Sequence, residues 1–230
     1  MFISLWIEKL TEAIPNIQFI QVNTDGITYK VDKDKLNIVN KITQELHDLT
    51  GLTFEDSFYK KMIIKDVNSY LAVYQDDTIK AKGCFEIDKE LHKDPSMRIV
   101  PIALKEYFIN NKPVTETIKN HNNIFDFCLR LKTRADCKSL YQYYENHQIK
   151  YQLLPRTTRY YISVPSINSG TLLKKFSETK NNSVNIGYMV TLFNKYEEKE
   201  MKDYKIDYNF YISETNKIIN AIEDFQLSLF

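Results

Sequence analysis

The stretch Ile17-Gln18-Phe19-Ile20-Gln21-Val22-Asn23-Thr24-Asp25-Gly26-Ile27-Thr28-Tyr29-Lys30-Val31 decides how the chain is read. Two β-prone runs, 17–22 and 27–31, flank the tetrapeptide Asn23-Thr24-Asp25-Gly26. Strand, Asp-Gly, strand is the pattern of a β-hairpin. Upstream, Ile3, Leu5, Trp6, Ile7, Leu10 and Ile14 recur at helical spacing until Pro15 and Asn16 interrupt them. Downstream, Leu36, Val39, Ile42 and Leu46 form one stripe of a helix over 34–49, with Gly51 as its stop. A hairpin between two helices is therefore the first expectation.

Further along, strands are expected at 58–64, 69–74 and 79–83. Pro101 suits the first turn of a helix ending near Asn110. Lys112-Pro113 opens a second helix and 122–132 a third. Strands return at 140–145, 150–153, 159–164, 172–176 and 188–193. Residues 208–212 read as short and extended, and Ser213-Glu214-Thr215-Asn216 as the cap of a final helix over 217–225. The fold class is α+β, with a boundary near residue 95 where strands give way to helices.

The 230 residues are 43% apolar and 27% charged, an ordinary soluble globular composition. The start, MFISLWIEKL, has no basic leader, and no 18-residue apolar run exists, so neither signal peptide nor membrane span is expected. The location expected is cytoplasmic. Cys84, Cys128 and Cys137 lack CxxC spacing, which excludes a disulfide scaffold or zinc ribbon. His47, His92, His121 and His147 show no metal-ligand spacing, and Ser163, Ser166 and Ser169 no nucleophile-elbow context.

Lys+Arg (31) and Asp+Glu (30) nearly balance, yet their distribution is uneven. Between Arg130 and Lys175 there are nine basic side chains, Arg156, Arg159, Lys174 and Lys175 among them, against Asp136 and Glu145 alone. Four of the five arginines lie here, interleaved with Tyr141, Tyr143, Tyr144, Tyr151, Tyr160 and Tyr161. A basic stretch with tyrosines is a candidate phosphate-tracking surface. Tyrosine also suits strands, so a solvated sheet face is the competing reading.

Asp25, a carboxylate at a hairpin tip, is placed to bind a hard divalent cation at a fixed depth. Asp-Gly is also a favoured turn on backbone grounds alone. The wider sequence adds context. Ile20 to Ile27 resembles motif C of family B DNA polymerases, usually written Asp-Thr-Asp-Ser. Val67-Asn68-Ser69-Tyr70-Leu71-Ala72, then Ile79-Lys80-Ala81-Lys82-Gly83, is similar to the primer-gripping KxY strand and the Lys-Gly after it. Residues 99–108, with Lys112-Pro113 and Thr117-Ile118, are similar to the first thumb helices. Arg159-Tyr160-Tyr161-Ile162-Ser163, with Gly170 and Leu173-Lys174-Lys175, resembles the thumb of phage-type members.

The resemblance implies a palm-type hairpin and antiparallel sheet over 1–95, and a mixed helical and β thumb over 96–230. It makes Asp25 the catalytic metal ligand for Mg2+ or Mn2+. Asn23 stands where the family has its first aspartate and becomes an outer-shell residue. Asn68, Tyr70, Lys82, Arg156, Arg159 and Lys174 become contacts to primer-template DNA, with Asn68 replacing the KxY lysine. Only 22 residues precede Asn23, so the family's motif A aspartate and fingers helix have no counterpart here. Two-metal nucleotidyl transfer needs carboxylates from both motifs, holding two cations about 4 Å apart. It also needs a cation to bind the deoxynucleoside triphosphate. The chain then reads as the C-terminal part of a split or truncated polymerase, needing an upstream polymerase fragment as partner.

The last residues, Gln226-Leu227-Ser228-Leu229-Phe230, resemble the bacterial sliding-clamp-binding motif. Leu229 and Phe230 would enter a pocket on the ring, with Leu227 beside it and Gln226 at its rim. A non-catalytic DNA-binding and clamp-binding replication factor, and a plain α+β interaction module, are the alternatives.

Overall fold

The computed structural model describes residues 2–88, 96–176 and 181–227. Five α-helices and antiparallel strands alternate along them, an α+β chain. The chain divides into two compact units, Met1–Lys80 and Ala81–Phe230, where the sequence put a boundary near 95.

The first unit holds α1 (Phe2–Ala13), β1 (Gln18–Val22), β2 (Ile27–Lys30), α2 (Leu36–Thr50), β3 (Tyr59–Asp66), β4 (Ser69–Tyr74) and β5 (Ile79–Ala81). Trp6, Leu10 and Ile14 meet Val39, Ile42 and Leu46 in one buried cluster. Phe19, Ile27 and Tyr29 of the hairpin pack against it, so the hairpin's root is fixed by two helices. α2 ends at Gly51, whose φ of 71° lets its N–H reach the His47 carbonyl at 2.7 Å. The β1–β2 pairing runs from Gln18↔Lys30 to Val22↔Ile27 with a bulge at Ile20. β3, β4 and β5 form a separate three-stranded sheet.

The second unit begins with α3 (Ile99–Asn110) and α4 (Val114–Lys119). After a 3-10 turn, Ile124–Phe127, come β6 (Leu129–Lys132), β7 (Lys138–Glu145), β8 (Gln148–Leu154), β9 (Thr157–Ser163), β10 (Thr171–Lys175), β11 (Asn181–Val184) and β12 (Met189–Leu192). α5 (Tyr208–Leu227) closes it. One sheet has the order β11-β10-β7-β8, the other β12-β9-β6. Gly170 and Val190 exchange backbone hydrogen bonds of 2.9 and 2.8 Å between them. A β-carbon on Gly170 would lie 2.3 Å from the Gln142 carbonyl oxygen, so no larger residue fits this crossing.

Three sequence expectations fail locally. Residues 122–132 are not a helix. Asn123 accepts from the Phe125 N–H, and the Asp126 carboxylate takes Asn123 Nδ2 at 3.0 Å and faces His121 Nε2 at 2.7 Å, which ends helical growth after one turn. Leu129 and Leu131 then alternate with Arg130 and Lys132 as a strand. Residues 208–216 are the first turns of α5, not an extended run plus cap. Asp207 accepts from the Asn209 N–H at 3.1 Å, and Thr215 bonds back to the Tyr211 carbonyl at 2.8 Å. β11 had no apolar alternation to announce it.

Candidate functional site

The hairpin tip projects from a rigid root. The Asn23 N–H donates to the Gly26 carbonyl at 2.8 Å, leaving Thr24 and Asp25 as the two loop residues. None of Thr24, Asp25 and Gly26 takes a positive φ. The usual backbone reason for Asp-Gly, a mirror-image turn needing positive φ, therefore does not operate here. A β-carbon on Gly26 would meet nothing within 4 Å. Asn23 and Asp25 are exposed, and Thr24 Oγ1 lies 3.5 Å from Asp25 Oδ1.

Gln21 is the residue that sequence reading passed over. Its side chain is buried, and Nε2 donates to the Val67 carbonyl at 2.9 Å, with Asn23 Oδ1 at 3.4 Å. Val67 and Asn68 make the turn between β3 and β4, where Asn68 N–H is held by the Asp66 carboxylate at 2.9 Å. One amide thus ties the hairpin tip to the β3–β4 turn, 46 residues apart in sequence. A glutamine on the inward face beside Phe19 was the only signal available.

Tyr70 is half-buried on β4 and Lys82 is exposed just past β5. Around Lys80, burial works to lower the ammonium pKa, but the neighbouring hydroxyls of Tyr70, Tyr74 and Tyr59 outweigh it and the net shift is upward. Tyr59 and Tyr74 face each other across the strands with ring centroids 4.9 Å apart.

The tip offers one carboxylate, one amide oxygen and one hydroxyl. No group of three His, Cys, Asp or Glu side chains that could hold a metal exists among the described residues. By themselves the residues present do not make a Mg2+ site, because such an ion wants six oxygens and usually carboxylates plus substrate phosphates.

The basic stretch separates into core and surface. Tyr141, Tyr160 and Tyr161 are buried core residues, which corrects their reading as part of a surface. Burial pushes the Tyr141 and Tyr161 phenols up to about 12. Tyr144 and Tyr151 are exposed. Arg156 is exposed, while Arg159, Lys174 and Lys175 are half-buried. Two like-charged pairs stand directly opposite each other in the ladders: Arg130↔Arg159 between β6 and β9, and Lys138↔Lys175 between β7 and β10. Like charges in that position destabilise a sheet unless an anion lies between or above them.

α5 continues through Leu227, two residues beyond the expected end, so Gln226 and Leu227 have helical backbone. Leu229 and Phe230 lie outside the described residues. No described helix is long and apolar enough to cross a membrane. No family model, curated protein or solved structure matches the chain.

Proposed function

We propose that the chain is the C-terminal palm-and-thumb part of a DNA-directed DNA polymerase of the family B phage type, acting in the cytoplasm of a bacterial or phage-infected cell. The observation that carries the DNA-gripping half of this reading is the concentration of cations on the strands of the second unit, where the register sets Arg130 opposite Arg159 and Lys138 opposite Lys175. Cations gathered in this way suit a phosphate backbone, which is recognised without regard to sequence. The Asp25 tip, braced by Gln21 and free of any backbone demand for glycine at 26, supports the other half.

In this reading Asp25 supplies one ligand, and an upstream polymerase fragment supplies the remaining carboxylates and the cation that binds the incoming deoxynucleoside triphosphate. A Mg2+ or Mn2+ pair held between the two polypeptides would stabilise the attacking and leaving oxygens of nucleotidyl transfer. This chain's own residues position the tip and hold duplex. Gln226, Leu227, Leu229 and Phe230 would dock on a sliding clamp.

The test is reconstitution. The chain alone should add no nucleotides to primer-template DNA, and mixing with the upstream fragment should restore synthesis. Asp25→Ala should abolish the restored activity with DNA binding intact. Robust synthesis by the chain alone, or full restored activity in the Asp25 variant, would refute the reading. A second reading, a non-catalytic DNA- and clamp-binding factor, is favoured by Asn23 in place of a carboxylate. It predicts salt-sensitive DNA binding with no synthesis in any mixture.

A further inference from the structure

We infer that β8 is a self-association edge, through which two copies of this chain join their sheets about a two-fold axis at Tyr151. β8 is the outermost strand of its sheet, and no described strand pairs with its far side. Its seven residues pair with β7 in unbroken register, Glu145↔Gln148 through Ser139↔Leu154, with no bulge. Six of the seven are exposed. A long, flat, apolar edge is what monomeric proteins avoid, because its free N–H and C=O groups template another strand. The usual protections are few here: the proline, Pro155, comes only after the strand, and the one charge within it, Lys150, is paired with Glu145.

The side-chain order says which strand fits. Ile149 (48% exposed), Tyr151 (58%) and Leu153 (63%) lie on one face, with Lys150 and Gln152 on the other. Antiparallel pairing of β8 with itself about Tyr151 sets Ile149 opposite Leu153 of the second copy, Lys150 opposite Gln152, and Tyr151 opposite Tyr151. Within 149–153 every apolar residue meets an apolar one and no like charges meet, while Gln148 falls opposite Leu154 at the ends. Sliding by two residues one way sets Lys150 against Lys150. Sliding the other way brings Pro155, which has no N–H, into the ladder opposite Ile149. Odd slides set apolar side chains against polar ones. The self-paired register is thus the one the strand's own pattern selects. It makes an isologous contact that closes at two copies. A strand of this length spans roughly 24 Å, so the contact is small and the association weak.

Sedimentation of nuclease-treated full-length chain over a concentration series tests this. Wild type should pass from monomer to dimer as concentration rises. Tyr151→Lys and Tyr151→Glu, both at an exposed site, should each stay monomeric with unchanged circular dichroism. Mixed in equal amounts, they should dimerise with each other. Hydrogen exchange on wild type provides a reading independent of variants: the amides within residues 148–153 that point away from β7 should gain protection as concentration rises. A wild type that is monomeric throughout, a dimer that needs nucleic acid, a Tyr151→Lys protein that still dimerises, or no concentration-dependent protection overturns the proposal.

Discussion

The hydroxyl of Tyr211 donates to the Phe127 carbonyl across 2.8 Å at a position closed to solvent. The same oxygen accepts from the Ile162 N–H at 2.9 Å. One phenol on α5 therefore satisfies a donor on β9 and an acceptor at the entry to β6. Tyr211→Phe keeps the ring and strands both backbone groups. It should cost about 2–4 kcal/mol in urea unfolding, since each buried orphan costs about 1–3 kcal/mol. A drop in stability below about half a kcal/mol would mean water replaces the hydroxyl.

Alkaline pH should unfold the second unit early. Burial raises Cys128 from 9.0 to about 12, and Tyr141 and Tyr161 from 10.0 to about 12. The unfolded chain loses these protons first. Stability is therefore fully present below pH 9 and declines from there towards pH 12, first through the thiol and then through the phenols. Urea midpoints measured against pH should show this slope. Cys128→Ala should flatten its lower part, between about pH 9 and 10, whatever it does to absolute stability.

Two glycines should respond oppositely. Gly170→Ala drives a β-carbon into the Gln142 carbonyl and the Tyr141 ring and should lower stability by more than about 2 kcal/mol. Gly26→Ala meets open space at an ordinary backbone angle. It should be neutral or stabilising by about 0.4–1 kcal/mol, through a less flexible unfolded chain. Thermal melts of the two variants decide this.

Gln21→Leu removes the donor to Val67 and leaves that carbonyl to solvent or to nothing. Stability should fall by about 1–2 kcal/mol. If the tip acts in chemistry, the reconstituted synthesis should fall further than stability accounts for, with DNA affinity unchanged. A fall in proportion to stability alone would make Gln21 a purely structural brace.

Neutralising Arg156 and Arg159 should lower the slope of log DNA affinity against log salt by about 0.9 for each phosphate that no longer meets a cation. An unchanged slope would place the DNA face away from β9.

Much of this fold is written in local patterns. The α1 and α2 stripes, the Pro15 stop, the Gly51 cap and the β1–β2 hairpin depend on neighbours within a few residues. What was hidden depends on distant partners. Residues 208–212 look extended because Tyr208, Phe210 and Tyr211 are aromatic, and the Asp207 cap together with packing of Tyr211 against Phe127 makes them helical. The segment 122–132 carries helix-like apolar spacing, but its polar residues Asn123 and Asp126 bind locally and break it. At the site, Asp25 was visible as a residue type at a turn. Gln21 was not, because nothing in sequence marks Val67 as its partner. The opposed pairs Arg130↔Arg159 and Lys138↔Lys175 needed the register, which no single-strand pattern supplies.

The open hairpin tip has a consequence for how this chain can diverge. Exposed Asn23 and Asp25, and a Gly26 whose β-carbon position is empty, leave folding with little say over which residues stand there. A library randomised at 23–26 and sorted for folded protein should return nearly every amino acid. The same library sorted for reconstituted synthesis should collapse at 25 and stay broad at 26. If the tip acts in nucleotidyl transfer, selection for chemistry can be read there with almost no background from selection for stability.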